Sequence, residues 1–260
     1  MAARSTSRAL DILEVVGASK RGLKHGEIAH ALEIPKSTLT KIITDLLEKE
    51  YLEIDQVSKT YTIGPQLIVL VNSYVGNLDI VKAAQPIIYD AMTKTGESAS
   101  LFIKKGNRGL VVCKENSSLV VMAMLNIGVS VPLYATAGGK AILAFLSDKE
   151  IDTYLDTVKL TPLTPTTITD PRKLRQELMD IRKSGLAYND GEQFEDLVAI
   201  AAPVFGLYNK VIASISLPFP KSRFNSQKKK LIEKTLRDSS AKISRKFGAN
   251  VESILSGYLH

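Results

Sequence analysis

The stretch IPKSTLTKIITDLL, residues 34–47, constrains the N-terminal fold more than any other. Leu39, Ile42, Ile43, Leu46 and Leu47 recur at i, i+3, i+4, i+7 and i+8, the spacing of one buried helical stripe. The other face carries Ser37, Thr40, Lys41 and Thr44, and no acid stands between Glu33 and Asp45. Pro35 suits the first helical position, where its missing N–H costs nothing. A solvated helix more often mixes glutamate with lysine. This face is short, hydrogen-bonding and cationic, so it can approach phosphates without repulsion and reach base edges.

Its neighbours supply the context. Upstream, SRALDILEVVGAS puts Ala9, Ile12, Leu13 and Val16 on one helical face, and KHGEIAHALEI makes a second short helix with Ile28, Ala31 and Leu32 inward. Downstream, YLEIDQVSKTYTIG alternates apolar and polar residues on both sides of DQVSK, as a two-stranded hairpin does. Three short helices followed by a hairpin is the winged helix-turn-helix plan, whose second turn helix enters the major groove. A protein-interaction module of the same shape is the alternative.

Charge does not choose between them. The net charge is +7, yet residues 1–63 carry nine basic and nine acidic side chains. The excess lies between 221 and 246, where ten Lys or Arg meet only Glu233 and Asp238. That run reads as the solvated face of an amphipathic C-terminal helix rather than a second DNA surface. With 260 residues and 45% hydrophobic content the chain can build more than one domain. No apolar run approaches the roughly 18 residues needed to span a bilayer. MAARSTSRAL lacks the apolar core of a secretion signal, so the expected location is cytoplasmic, without a membrane partner. Cys113 is the single cysteine, which excludes an internal disulfide, and His25, His30 and His260 give no metal-ligand spacing. No metal or cofactor is expected.

In the second half, IVKAAQPIIYDAMTKTG reads as a helix closed by Gly96, and SASLFIKK and RGLVVCKE alternate as strands. SDKE opens a helix as a capping box, while Asp170, Pro171 and Gly185 bracket another. LVAIAAPVF and VIASISLPF flank GLYNK as a strand pair, and GPQLIVLVNSYVGNLD reads as a linker helix that helps pair subunits. YATAGGKAILAFL sets Thr136, Ala137, Gly138 and Gly139 before a helix, where unpaired N–H groups can hold a carboxylate. A glycine turn chosen for tight packing is the competing explanation. It is not a P-loop, because the first glycine of G-x-x-x-x-G-K-[ST] would fall at Tyr134 and Ala141 follows Lys140. Catalysis is not expected: Cys113 reads as a buried strand thiol with no base beside it, and the acids form no recognisable pair. A small-molecule-binding enzyme using the C-terminal pocket is the alternative.

SRALDILEVV, EIAHALEIPKSTLTKIITDL and YTIGPQL resemble the N-terminal domain of the IclR family of bacterial transcription regulators. TGESASLFI, PLYATAGGKAILAFL, TITDPRKLRQELMDIRKSGLAYNDGE and IAAPVFG resemble its effector-binding domain, in the same order, over essentially the whole chain. The resemblance implies an α+β protein with a winged helix-turn-helix over 1–64, a linker helix over 65–80 and a GAF-like mixed α/β effector-binding domain over 81–260. That last domain is expected to hold a mixed sheet flanked by helices. The implied protein is a ligand-responsive repressor or activator, a homodimer or dimer of dimers on double-stranded operator DNA, sensing a small organic acid. Lys36, Ser37, Thr38, Thr40 and Lys41 are the expected reading face, with Arg4, Lys59 and Tyr61 at the DNA backbone or minor groove. The effector cavity of the family aligns with Val120, Ala123, Val131, Ala137, Gly138, Asn189, Leu197, Ala199, Ser214 and Ser216. Two departures stand out. Asn189 replaces a common carboxylate and Gly191 a glutamate, while Ala199 stands where a subgroup that binds small oxo-acids has cysteine. An amide in place of an acid should ease anion binding, and the small side chains at Val120, Ala123 and Ala199 suggest room beyond a two- or three-carbon acid.

Overall fold

A computed structural model describes residues 2–70, 79–117 and 125–257, and the chain divides into two units, residues 1–77 and 78–260. In the first, α1 (Ala2–Gly17), α2 (His25–Ala31) and α3 (Lys36–Glu48) turn their apolar stripes inward. Ile12, Val16, Ile28, Leu39, Ile42, Ile43 and Leu46 are buried with Leu52 in one cluster. On α2 it is Ala29 that is buried, and Ala31 is exposed, contrary to expectation. The direction midway between Ile28 and Leu32 lies about 80° from both Ala29 and Ala31 around a 3.6-residue turn, so periodicity does not separate the two and packing against the rest of the cluster decides. Pro35 is the N-cap of α3 rather than its first residue: its ψ is 134°, outside the helix, and its carbonyl accepts from the N–H groups of Thr38 and Leu39 at 3.0 Å.

The expected hairpin forms from β2 (Leu52–Ile54) and β3 (Thr60–Ile63). A two-residue strand, β1 (Leu23–Lys24), adds to it, giving an antiparallel sheet of order β1-β3-β2. Asp55 organises the turn. Its Oδ1 accepts from the Ser58 N–H at 2.6 Å, the Ser58 hydroxyl at 2.8 Å and the Val57 N–H at 3.0 Å, and the Ser58 bonds foremost hold the carboxyl below the usual carboxylate range. Of the linker helix expected over 65–80, residues 66–70 are helical with Ile68, Val69 and Leu70 exposed, and 71–78 lie outside the described residues.

The second unit opens with α4 (Ile80–Thr95), capped by Asp79 and closed by Gly96 at φ 68°. Its sheet has the order β6-β5-β4-β9-β8-β7, from β4 (Ala99–Lys105), β5 (Arg108–Glu115), β6 (Ser130–Pro132), β7 (Ala187–Asp190), β8 (Leu197–Phe205) and β9 (Val211–Pro220). Among the described residues every pairing is antiparallel, so the described sheet is not the mixed one the resemblance implies. A parallel pair needs a crossover between neighbouring strands. Here the helical crossover of α5 (Ala137–Leu143), α6 (Asp148–Thr157) and α7 (Pro171–Ser184) joins the two edge strands instead. The Ser147–Glu150 capping box forms, and Asp170, Pro171 and Gly185 bracket α7. After β9 come α8 (Ser226–Lys246) and α9 (Val251–Gly257).

Alternation sorts the two faces of this sheet. Ile200, Ala202 and Val204 of β8 and Ala213, Ile215, Leu217 and Phe219 of β9 pack with Ala84 and Ile88 of α4 and Ile232, Leu236 and Ile243 of α8. The residues between them, such as Ala201, lie on the side of α5 and α7. On β5 the pattern breaks. Leu101 pairs with Cys113 but Phe102 with Val111, so Val112 is a bulge that turns Cys113 to the first face and Val111 to the second. Cys113 is thus the buried thiol expected, and burial pushes it above its ordinary value. The cationic run is amphipathic as read, but two of its members hold a buried acid. Arg223 grips Glu97, 1% exposed, through bonds of 3.0 and 2.6 Å, and Lys228 joins at 2.9 Å. Among the described residues no helix is long and apolar enough to cross a membrane.

Candidate functional site

On α3, Lys36, Ser37, Thr40 and Lys41 are exposed and Thr38 is half-buried. The apolar stripe therefore leaves the expected reading residues on the solvent side. The Thr40 hydroxyl, however, is engaged: it donates to the Lys36 carbonyl at 2.9 Å and lies 3.1 Å from His25 Nε2. His25, the first residue of α2, is a neighbour that the pattern of α3 gives no hint of; its ring lies 6.5 Å from that of Tyr61, tilted by 58°. Tyr61 is half-buried and packs on the core of this unit. Lys59 is exposed at the hairpin turn, its Nζ 3.1 Å from Gln56 Oε1, and Arg4 falls in the first turn of α1.

The second unit holds a cavity of about 40 Å³. Ala137, Gly138, Asn189, Leu197, Ala199 and Ser216 line it as expected, joined by Ser100, Phe102, Leu125, Thr136, Gln193, Phe194 and Pro218. Val120 and Ala123 lie outside the described residues. Val131 is buried with Phe102, Val111 and Ile142 rather than on the cavity wall. Ser214 is fully buried and donates to the Gly138 carbonyl at 2.7 Å, so it fastens α5 to the sheet. Ser100, directly opposite Ser216 across the β4–β9 pairing, adds a hydroxyl that no spacing in the sequence indicates. None of the described lining residues is charged. The volume among the described residues holds on the order of three waters, and Val120 and Ala123, on which the expected extra room rests, are not among those residues.

The glycines of α5 serve packing first. A Cβ on Gly138 would lie 2.7 Å from the Phe102 ring, and one on Gly139 would meet the Leu133 backbone, with Leu133 Cα at 2.5 Å. Thr136 caps the helix by accepting from the Gly139 N–H at 3.0 Å. That leaves the N–H groups of Ala137 and Gly138, at the cavity wall, without an intrahelical acceptor. Asn189 has a role that a carboxylate could not fill. Its Nδ2 donates to the Ala135 carbonyl at 2.6 Å while its Oδ1 accepts from the Glu192 N–H at 3.2 Å, and these two partners fix the orientation of the amide.

Lys140, next in the glycine motif, is fully buried. Its Nζ sits between Glu177 of α7 and Glu192, the latter at 2.5 Å. Glu192 Oε2 is buried with no hydrogen-bond partner among the described residues. Burial raises the Glu192 carboxyl above the usual range even though Lys140 acts to lower it. Among the described residues no group of three or more His, Cys, Asp or Glu is placed to hold a metal ion.

Residues 72–245 match the family model described as bacterial transcriptional regulator IclR C-terminal, and residues 5–56 match the IclR helix-turn-helix domain. The chain is 28% identical over 245 residues to the HTH-type transcriptional regulator XynR of Escherichia coli (strain K12), across 94% of this chain and 97% of that protein. It is 30% identical over 250 residues to the HTH-type transcriptional regulator BhcR of Paracoccus denitrificans (strain Pd 1222), across 96% of this chain and 84% of that one. The crystal structure of the Thermotoga maritima IclR matches with a TM-score of 0.64 at 30% identity, over 95% of this chain and 99% of the other. The chain belongs to the IclR family of bacterial transcriptional regulators, DNA-binding proteins with a ligand-binding C-terminal domain and not enzymes.

Proposed function

We propose that the regulator reads its operator with the outer face of α3 and senses a small carboxylate in the cavity beside α5. The exposed, acid-free first two turns of α3 carry this reading. Lys36, Ser37 and Lys41 supply the donors, Thr38 and Thr40 shape the face, and Lys59, Tyr61 and Arg4 approach the DNA backbone or minor groove. The exposed apolar side chains of Ile68, Val69 and Leu70 support pairing of two chains, in a dimer or a dimer of dimers. A dimer presents two such helices to a near-palindromic site with half-sites spaced by the duplex repeat. In the cavity, hydroxyls of Ser100 and Ser216, the Asn189 amide and the free N–H groups of α5 suit an anion held by neutral donors. The protein then acts where its operator is, in the cytoplasm.

Lys41→Ala tests the DNA face. It is expected to weaken operator binding by ~1–3 kcal/mol and to relax the preference at one base pair, as loss of a bidentate base contact does. Unchanged gel-shift affinity and salt slope would argue against this face. For the cavity, a thermal-shift screen of short carboxylates followed by calorimetry should find a two- or three-carbon acid such as glyoxylate or pyruvate. Tight binding only of bulkier acids would reverse the size argument.

A further inference from the structure

The His25–Thr40 pair is unused by the reading of α3 given above, and its proton count is decidable. Thr40 has one hydroxyl proton, which the Lys36 carbonyl takes at 2.9 Å, so His25 Nε2 must be the donor across the 3.1 Å to Thr40 Oγ1. Thr40 has then no proton left to offer DNA. The remaining ring nitrogen, Nδ1, has no partner among the described residues, and His25 itself is half-buried and joined through Thr40 to the exposed Lys36–Lys41 face. Tyr61 of β3 lies against the ring, and the charged groups near in sequence to it and to Thr40 are Lys24 and Glu27 on the α2 side and Lys36 and Lys41 on α3. Glu27, the one acid, is already held by the Lys24 N–H at 2.7 Å and Arg21 at 2.8 Å. The anion that would answer a protonated imidazole must therefore come from outside this cluster.

We propose that His25 is a DNA-contacting residue that grips a backbone phosphate as the imidazolium. Nδ1 takes one proton from solvent on binding and donates it to a phosphate oxygen, while Nε2–H keeps Thr40 and α3 in place. A neutral imidazole offers Nδ1 only as an acceptor, which a phosphate cannot use. Operator binding is thereby coupled to proton uptake, and affinity rises as pH falls across the range in which imidazoles change charge. The inference rests on α3 facing DNA.

The probe is a duplex enriched from a random library by the wild-type protein, read by fluorescence anisotropy at about pH 8 and about pH 6 over a range of salt. For each subunit on the duplex, wild type is expected to gain about tenfold in affinity at the lower pH and about 0.9 in log–log salt slope, one more phosphate being neutralised per subunit. His30→Gln, at an exposed histidine elsewhere on α2, should keep that gain. His25→Gln, whose amide can still donate to Thr40 but cannot take up a proton, should lose it. His25→Arg, charged at every pH, should bind equally at both. An undiminished gain in His25→Gln overturns the proposal, as does a loss of the same factor at both pH values, which would mark the bond to Thr40 as structural only. A wild-type protein that binds no duplex in a salt-sensitive manner overturns the DNA reading of α3 and this inference with it.

Discussion

Gly139 shows how a single absent methyl group lets α5 close onto the chain at Leu133. Alanine there would gain about 1 kcal/mol of helix propensity, but its Cβ would sit on the Leu133 backbone, which cannot rotate away as a side chain can. Overpacking costs ~1–3 kcal/mol or more when backbone must move, so the clash outweighs the propensity. Gly139→Ala should therefore lower stability in urea unfolding; an unchanged or higher midpoint would mean that the chain around Leu133 yields freely. Asn189 teaches the converse lesson about reading a site from residue types. As an acid-to-amide replacement it suggests only a change in charge toward the ligand, whereas its bonds to Ala135 and Glu192 make it a brace between two loops.

Between α5 and α7 the tie is ionic. Lys140 is fully buried against Glu192 and the partly exposed Glu177, and removing one partner from such a group costs ~3–5 kcal/mol because the other charges stay buried. Lys140→Met should lose stability on that scale at pH 8. Glu192 already has a raised carboxyl pKa through burial, and without Lys140 only the Ile168 backbone bond opposes that rise. A carboxyl whose folded pKa lies above its unfolded value takes up a proton more readily when folded, so its contribution grows as pH falls and is lost as pH rises. The deficit of Lys140→Met should accordingly shrink toward pH 5 in denaturant titrations. A deficit independent of pH would assign the loss to packing of the lysine stem. Helix ends in this unit follow local rules: Asp79 and Asp170 cap, Gly96 and Gly185 close. The bulge at Val112 and the added strand β1 do not, because each is defined by what the partner strand offers.

For the molecule as a whole, the proposed regulation requires the cavity and the DNA face to bias one equilibrium. A carboxylate can shift operator binding only by its difference in affinity between the two states, and that coupling is reciprocal. If an acid from the screen changes operator affinity by some factor, operator DNA must change the affinity for that acid by the same factor. Calorimetry with and without duplex measures both; unequal factors would show that a change of assembly intervenes.

Helical stripes, caps, the hairpin and the outward face of α3 were legible because each depends on residues within a turn or two of one another, as does the amphipathic course of α8. The family resemblance brought six of the thirteen described lining residues of the cavity within reach as well. Partnerships across the fold were not legible. Asn189 meets Ala135 from 54 residues away, Ser214 meets Gly138 from 76, and His25 meets Thr40 from 15. A hydrogen bond is chosen by distance and direction after the chain has folded back on itself, and no periodicity in the residues records which donor will arrive.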